Sequence, residues 1–460
     1  MSEIPNLSDQ CKIITPSSPD YNEAIARNTL TAVVPAKYVV YPNTPSDVSA
    51  LLEFARTQKP PLPIAVKGGG INSVPASSSD GITIDLSQMK YVKLAEDKQS
   101  VTVGGGANWG DVYSALEEHD LIVVGANAWA VGVGGFILGG GHSNLSGQHG
   151  FGSDNLLEAT VVLADGRIVK CDADHEPDLF WAIRGAGNQF GVVTELVLKT
   201  HPAHGPALVG VLVYAPNQLE ELLNVLEKRS QSPKQTFIVT FARSPPEYHP
   251  SLLLLPYVEG TPAEIETVLA PFRTEVTPLF EQTGLAPTYN AVSHGADSIL
   301  SQFPPRRITG GALFSAIWND LLKSIYDEWL TFTGDNESKS TIIMWEFFPS
   351  GKYTEIPVRD TAYAARKRQN YFLVHGLHTS QDKDTPTREW ITRLMLKVND
   401  TNLAREGFRF PTPVNMGLGT ESPEEIYGEN LQRLRELKTK YDPNQVFNKK
   451  YWTIPPLTPE

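Results

Sequence analysis

The sequence predicts a two-domain α+β fold: an α/β domain over residues 1–205, a domain of antiparallel sheet flanked by helices over 206–410, and a C-terminal segment over 411–460. A length of 460 residues exceeds what one hydrophobic core usually organises. Before residue 200 the pattern runs β-α-β, which implies an α/β layer. After the His201-Pro202 and Gly205-Pro206 breaks it changes to long apolar strands separated by amphipathic runs.

In chain order, VVPAKYVVYP (33–42) reads as a β-branched strand. SDVSALLEFAR follows as a helix, with N-cap chemistry at Ser46-Asp47 and Val48, Leu51, Leu52 and Ala55 on one face. PIAVKGGG is a short buried strand ending in a glycine loop. GITIDLS, VTVGGG, the helix GDVYSALEEH and the strand LIVVG come next, then NLLEATVVLADGRIVKC, a hairpin turning at Ala164 to Arg167. DLFWAIRGAGNQFGVVTELVLKTHP supplies a helix, a glycine loop and a strand. In the second half TFIVTFA, SLLLLPYVEG, TIIMWEFFPSG and YFLVHGLHTS are strands, and NQLEELLNVLEKR and AEIETVLAPF are helices. Near the end, SPEEIYGENLQRLRELKTKYDPNQVF is a helix capped at Ser422 to Glu425 and stopped at Asp442-Pro443.

Composition excludes several classes. Hydrophobic residues make up 41% and charged residues 20%, ordinary for a globular chain. A net charge of -13 argues against nucleic acid and anionic membrane as partners, and Arg366-Lys367-Arg368 reads as a short solvated face. No apolar run approaches the ~20 residues of a membrane span. MSEIPNLSDQCK has neither the basic nor the apolar region of a signal peptide, and Cys11 and Cys171 make no disulfide framework, so a cytoplasmic protein is expected.

The chemistry is concentrated in AWAVGVGGFILGGGHSNLSGQHGFGSDN (128–155), with smaller glycine clusters at AVKGGGIN and VTVGGG. Glycine lets main chain approach a ligand closely, and closely spaced backbone N–H groups form an anion-binding concavity. The dinucleotide fingerprint fails, because the sixth positions are Ile137 and Trp109; the P-loop fails because Gly351-Lys352 lacks the earlier glycine. H-E-x-x-H, C-x-x-C and G-x-S-x-G are absent as well.

With PAKYVVYPNTPSDVSALLEFAR, GITIDLSQM, DLFWAIRGAGNQFGVVTELVL and YDPNQVF in the same order, these segments give the chain its resemblance to the flavin-linked oxidases of the vanillyl-alcohol oxidase and berberine-bridge-enzyme type, with their PCMH-type FAD-binding domain. The resemblance implies FAD as cofactor. Its pyrophosphate and flavin would lie on Lys67, Gly68, Gly69, Gly70, Ile71 and Asn72 and on Val131, Gly132, Val133, Gly134, Gly135, Gly139, Gly140 and Gly141. Gly191, Val192 and Val193 would meet the adenine end, and the C-terminal segment would fold back onto the FAD domain. His142 follows the glycines and either touches the flavin edge or packs.

Departures from the family are informative. The histidine that bonds the flavin 8-methyl carbon is replaced by Ile71, and the attaching cysteine by Ala128, so the resemblance implies noncovalent FAD. The family's Tyr-x-Asn reads Pro413-Val414-Asn415, and its strand base falls on Val374. Strand alternation groups Phe372, Val374, Gly376 and His378 on one face and Tyr371, Leu373 and His375 on the other. If the first face meets the flavin, His378 is the nearest acid-base candidate, with Glu346 on the preceding strand as another. No metal is expected, since His375 and His378 have no third ligand. The expected function is an FAD-dependent oxidoreductase that oxidises or oxidatively cyclises a small organic substrate, a specialised metabolite; the alternative is a non-redox isomerase or cyclase on the same scaffold, which the joint loss of histidine, cysteine and tyrosine would fit.

Overall fold

The computed structural model describes residue 4 and residues 7–229, 232–300, 302–448 and 451–457, without the side chains of 296–300. Near the N-terminus, Tyr38–Tyr41 pairs antiparallel with Lys12–Ile14 and parallel with Ile82–Asp85, and Ile64–Lys67 adds a second parallel pair on the far side. The helix Pro45–Thr57 makes the crossover. Its cap is Thr44, not Ser46: the Thr44 hydroxyl accepts from the Asp47 amide, and Asp47 takes the Thr44 amide in return. Pro45 then occupies the first helical position, where its missing N–H costs nothing.

Parallel pairing stops there. The next sheet is antiparallel throughout, in the order Val92–Leu94, Ser100–Gly104, Val192–Lys199, Leu156–Val162, Ile168–Cys171. A two-stranded turn at Gly166 (φ 88°) is too short for a crossover helix, so Leu156–Val162 and Ile168–Cys171 form a hairpin. Val162 and Val192 share one core with Leu51, Leu52, Ile82 and Ile84, which locks the two sheets around the first helix.

The third sheet has seven antiparallel strands, in the order Phe280–Ala286, Ala207–Tyr214, His249–Glu259, Gln235–Ser244, Ile342–Phe347, Asn370–His378, Arg306–Phe314. One face is packed by the helices Leu219–Lys228, Pro262–Thr274, Asn319–Phe332 and Asp384–Glu406. Its other face looks toward the glycine loops. The C-terminal helix is broken at Gly428 (φ 48°) into Pro423–Tyr427 and Leu431–Tyr441, where one continuous helix was expected. Leu431, Leu434, Leu437 and Tyr441 enter the core that holds Leu196 and Phe190, and the buried Lys438 ammonium donates to the Gln189 carbonyl at 2.6 Å and pairs with Asp442 at 2.8 Å. No helix among the described residues is long and apolar enough to cross a membrane.

Candidate active site

The three glycine clusters converge. Gly69 and Gly132 meet backbone to backbone, and a Cβ on Gly69 would lie 2.5 Å from the Gly132 nitrogen, so only glycine fits there. Around that contact the main chain is open: a Cβ on Gly68 or Gly134 would touch only the Gly105 carbonyl, at 3.5 Å, and one on Gly135 would meet nothing within 4 Å. Gly134 and Gly135 occupy the first turn of the helix Val133–Leu138, whose amides have no acceptor inside the helix. The result is a trough of exposed main chain edged by N–H groups, which fits a flat ligand with a phosphate bridge.

Lys67 leads into the trough and is held by the fully buried Asp85 at 2.7 Å. Gly70 has φ 67°, Ile71 follows it half-buried, and Asn72 turns its side chain back to accept the Val74 amide at 2.8 Å. Ala128 and Val131 are half-buried in the segment whose main chain meets Gly69, and Val133 is buried with its amide on the Ala107 carbonyl. Farther along, Gly139 lies against the Asn415 side-chain amide and Gly140 against the Tyr363 ring, so Asn415 joins the same wall. Gly191 packs on Val161, while the Val192 and Val193 side chains are buried in two cores. Only the main chain of this segment approaches the trough, where the Val193 carbonyl closes over Gly105.

His142 sits at the end of the glycines in a cage of Phe151, Phe348, Tyr353 and Tyr371, with ring centroids 4.0 Å from Phe348 and 4.6 Å from Tyr371. Burial pushes its pKa down to about 3, so the ring is neutral, and its Nε2 has no hydrogen-bond partner.

Opposite the trough stands the inner face of the seven-stranded sheet. Ser73 pins it in place: its hydroxyl accepts from the Thr309 amide at 2.9 Å. Registers place Glu346 beside Tyr371 and Ile238, and Thr309 beside His375. Ile238, Leu253, Leu255, Ile342, Met344 and Leu373 are half-buried on this face, which makes it mainly aliphatic. Glu346 has no ion pair or hydrogen bond among the described residues, and burial pushes its carboxyl up to about 7. Protein crowds it, yet it stays half-buried, as a residue bordering a gap does. His375 bonds Thr309 at 2.9 Å, and burial, with the nearby Arg307 charge, lowers it to about 3.

The expected face assignment for this strand is reversed. Phe372 and Val374 are buried among the helices, a Cβ on Gly376 would meet Thr387 and Ile391 of the helix Asp384–Glu406, and His378 is fully buried with Nε2 2.8 Å from Asp384. His378 therefore anchors a helix on the far side of the sheet. Alternation divides a strand into two faces; which face a helix covers is a tertiary fact. Arg366 is a second correction. It is not a solvated residue but is buried at 5% exposure, with both nitrogens 2.7 Å from Asp154. Tyr363, from the loop before Asn370–His378, and Tyr371 and Arg307, from strands, also lie at the site without any further sequence signal. Among the described residues no group of three His, Cys, Asp or Glu could hold a metal.

The trough's chemistry agrees with what the chain resembles. Residues 36–172 match the FAD binding domain, and residues 406–450 the domain described as berberine and berberine like. FAD-linked oxidoreductase pgmH of Aspergillus terreus is 29% identical over 95% of this chain and 92% of its own length. Among solved structures, 6-hydroxy-D-nicotine oxidase of Arthrobacter nicotinovorans superposes with TM-score 0.83 at 23% identity, covering 98% of this chain and 99% of that one. A chitooligosaccharide oxidase gives TM-score 0.81 at 22% identity over 97% of both chains. The protein is an FAD-linked oxidoreductase. It carries a domain similar to the one described as berberine and berberine like, and its two-domain α+β fold is that of the vanillyl-alcohol oxidase and berberine-bridge-enzyme-like flavoenzymes.

Proposed function

We propose that this enzyme binds FAD without a covalent link and uses it to oxidise or oxidatively cyclise a small, largely apolar specialised metabolite. The observation that carries the noncovalent reading is Ile71 and Ala128, two half-buried aliphatic side chains in the two segments that meet at Gly69 and Gly132, neither of them a nucleophile. Residues 1–205 with 411–460 are read as the cofactor domain and 206–410 as the substrate domain.

Bound FAD would supply the electron sink, accepting a hydride from the substrate and passing the electron pair to oxygen. The remaining work falls to the chain. Main-chain amides at Gly68 to Asn72 and at Gly134 and Gly135 hold the phosphates, and Gly139 to Gly141 with Asn415 bound the ring system. The aliphatic wall of Ile238, Met344 and Leu373 excludes water and orients an apolar substrate. Glu346 takes the proton that leaves as the hydride departs. Its raised pKa leaves it charged above about pH 7 and protonated below, close to the optimum for a base at neutral pH. His142, neutral and caged, positions the wall and carries no charge.

The test is anaerobic addition of an oxidisable substrate to the yellow protein. Bleaching of the visible flavin band, restored by air, is the expected result. A product isomeric with its substrate and formed without bleaching would contradict it and favour isomerase chemistry.

A further inference from the structure

Arg307 has no assigned role, and its surroundings are unusual. Few cations are buried among the described residues. Lys438 meets Asp442, and Arg366 meets Asp154, each at hydrogen-bond distance. Arg307 is 4% exposed and, among the described residues, its guanidinium makes neither an ion pair nor a side-chain hydrogen bond. Among the described residues its neighbours include the Phe303 ring, 5.7 Å away, and His375, a neutral ring. A buried guanidinium without an anion is costly, so such a group fits a place where a ligand supplies the missing charge.

The register places it. Arg307 lies opposite Leu377 and alternates with Thr309, so it shares the inner face with His375, Leu373 and Glu346. From Tyr371, beside Glu346, to Leu377, beside Arg307, the strand rises about 20 Å. Between the two ends that face is lined by Leu373, Ile342 and Met344. We propose that Arg307 anchors the carboxylate of the substrate, which is therefore an elongated apolar acid whose charged end lies at Arg307 and whose reacting end lies toward Glu346. This rests on the inner face being the substrate wall of the oxidoreductase. The planar fork of arginine suits a bidentate carboxylate, and low local polarity strengthens the contact. A phosphate of FAD is the other source of such an oxyanion, and the test separates the two.

The experiment is calorimetric titration of the flavin-loaded protein with 6-phenylhexanoate and with its primary amide, in the natural chain and in Arg307→Met and Arg307→Lys. The natural chain should bind the acid roughly tenfold or more tightly than the amide. Arg307→Met should lose that preference while retaining its flavin, and should melt no lower than the natural chain, because it removes an unpaired buried charge. Arg307→Lys should keep part of the preference as a point charge. Equal binding of acid and amide, or binding of neither, overturns the assignment. So does loss of flavin from Arg307→Met, which would make the anion an FAD phosphate. Binding at equilibrium needs no turnover, so failure of the oxidoreductase reading would appear separately, as a flavin band that no substrate bleaches.

Discussion

Replacing Glu346 with glutamine separates the carboxyl's chemistry from its shape. Burial raises its folded-state pKa from an ordinary 4.5 to about 7, a difference worth roughly 3 kcal/mol. The sign follows from proton binding. Below about pH 4.5 both folded and unfolded chains carry the proton, and glutamine changes little. Between 4.5 and 7 the unfolded chain ionises first, so the natural protein is progressively destabilised relative to the variant; above 7 the difference is complete. Urea unfolding of substrate-free protein should therefore show Glu346→Gln equal to the natural chain at pH 4.5 and more stable by roughly 2 to 3 kcal/mol at pH 8. Turnover should move the other way, falling about a hundredfold or more at pH 8, with loss of the rise in rate through pH 7. A stability difference that is the same at both pH values would refute the burial argument. An unchanged pH–rate profile would refute the role as base.

Three further substitutions probe the trough and the sheet. Gly135→Ala adds a methyl where no protein atom lies within 4 Å, so the fold and melting temperature should hold while FAD affinity falls about tenfold; unchanged affinity would place the flavin elsewhere. Gly69→Ala, driven into the Gly132 backbone, should lose both flavin and stability. His378→Asn should leave turnover within about twofold but cost about 1 to 2 kcal/mol in unfolding, because it loosens only the bond to Asp384; a large rate loss at full stability would restore His378 to the active site.

The convergence of the glycine clusters was legible because such clusters report directly on main-chain geometry. Gly69 and Gly132 can be glycine only because their backbones touch, and that constraint is local enough to leave a mark in sequence. The substrate side was less legible. Glu346 could be singled out as a carboxylate inside the apolar run TIIMWEFF, yet His378 and His375 exchanged roles because strand periodicity is symmetric between faces. Arg366 looked like one of three surface cations, since nothing nearby in sequence announces Asp154, 212 residues away. The break at Gly428 likewise interrupts a run whose cap at Ser422 and stop at Asp442-Pro443 read as one continuous helix.

The proposed noncovalent flavin, held by main chain and packing alone, is open to a direct check. The most direct measurement is the visible spectrum of the purified protein before and after acid precipitation. Yellow protein whose flavin passes entirely into the supernatant is the expected result. Flavin that stays with the precipitate would show that another residue makes the covalent bond, and would contradict the reading of Ile71 and Ala128.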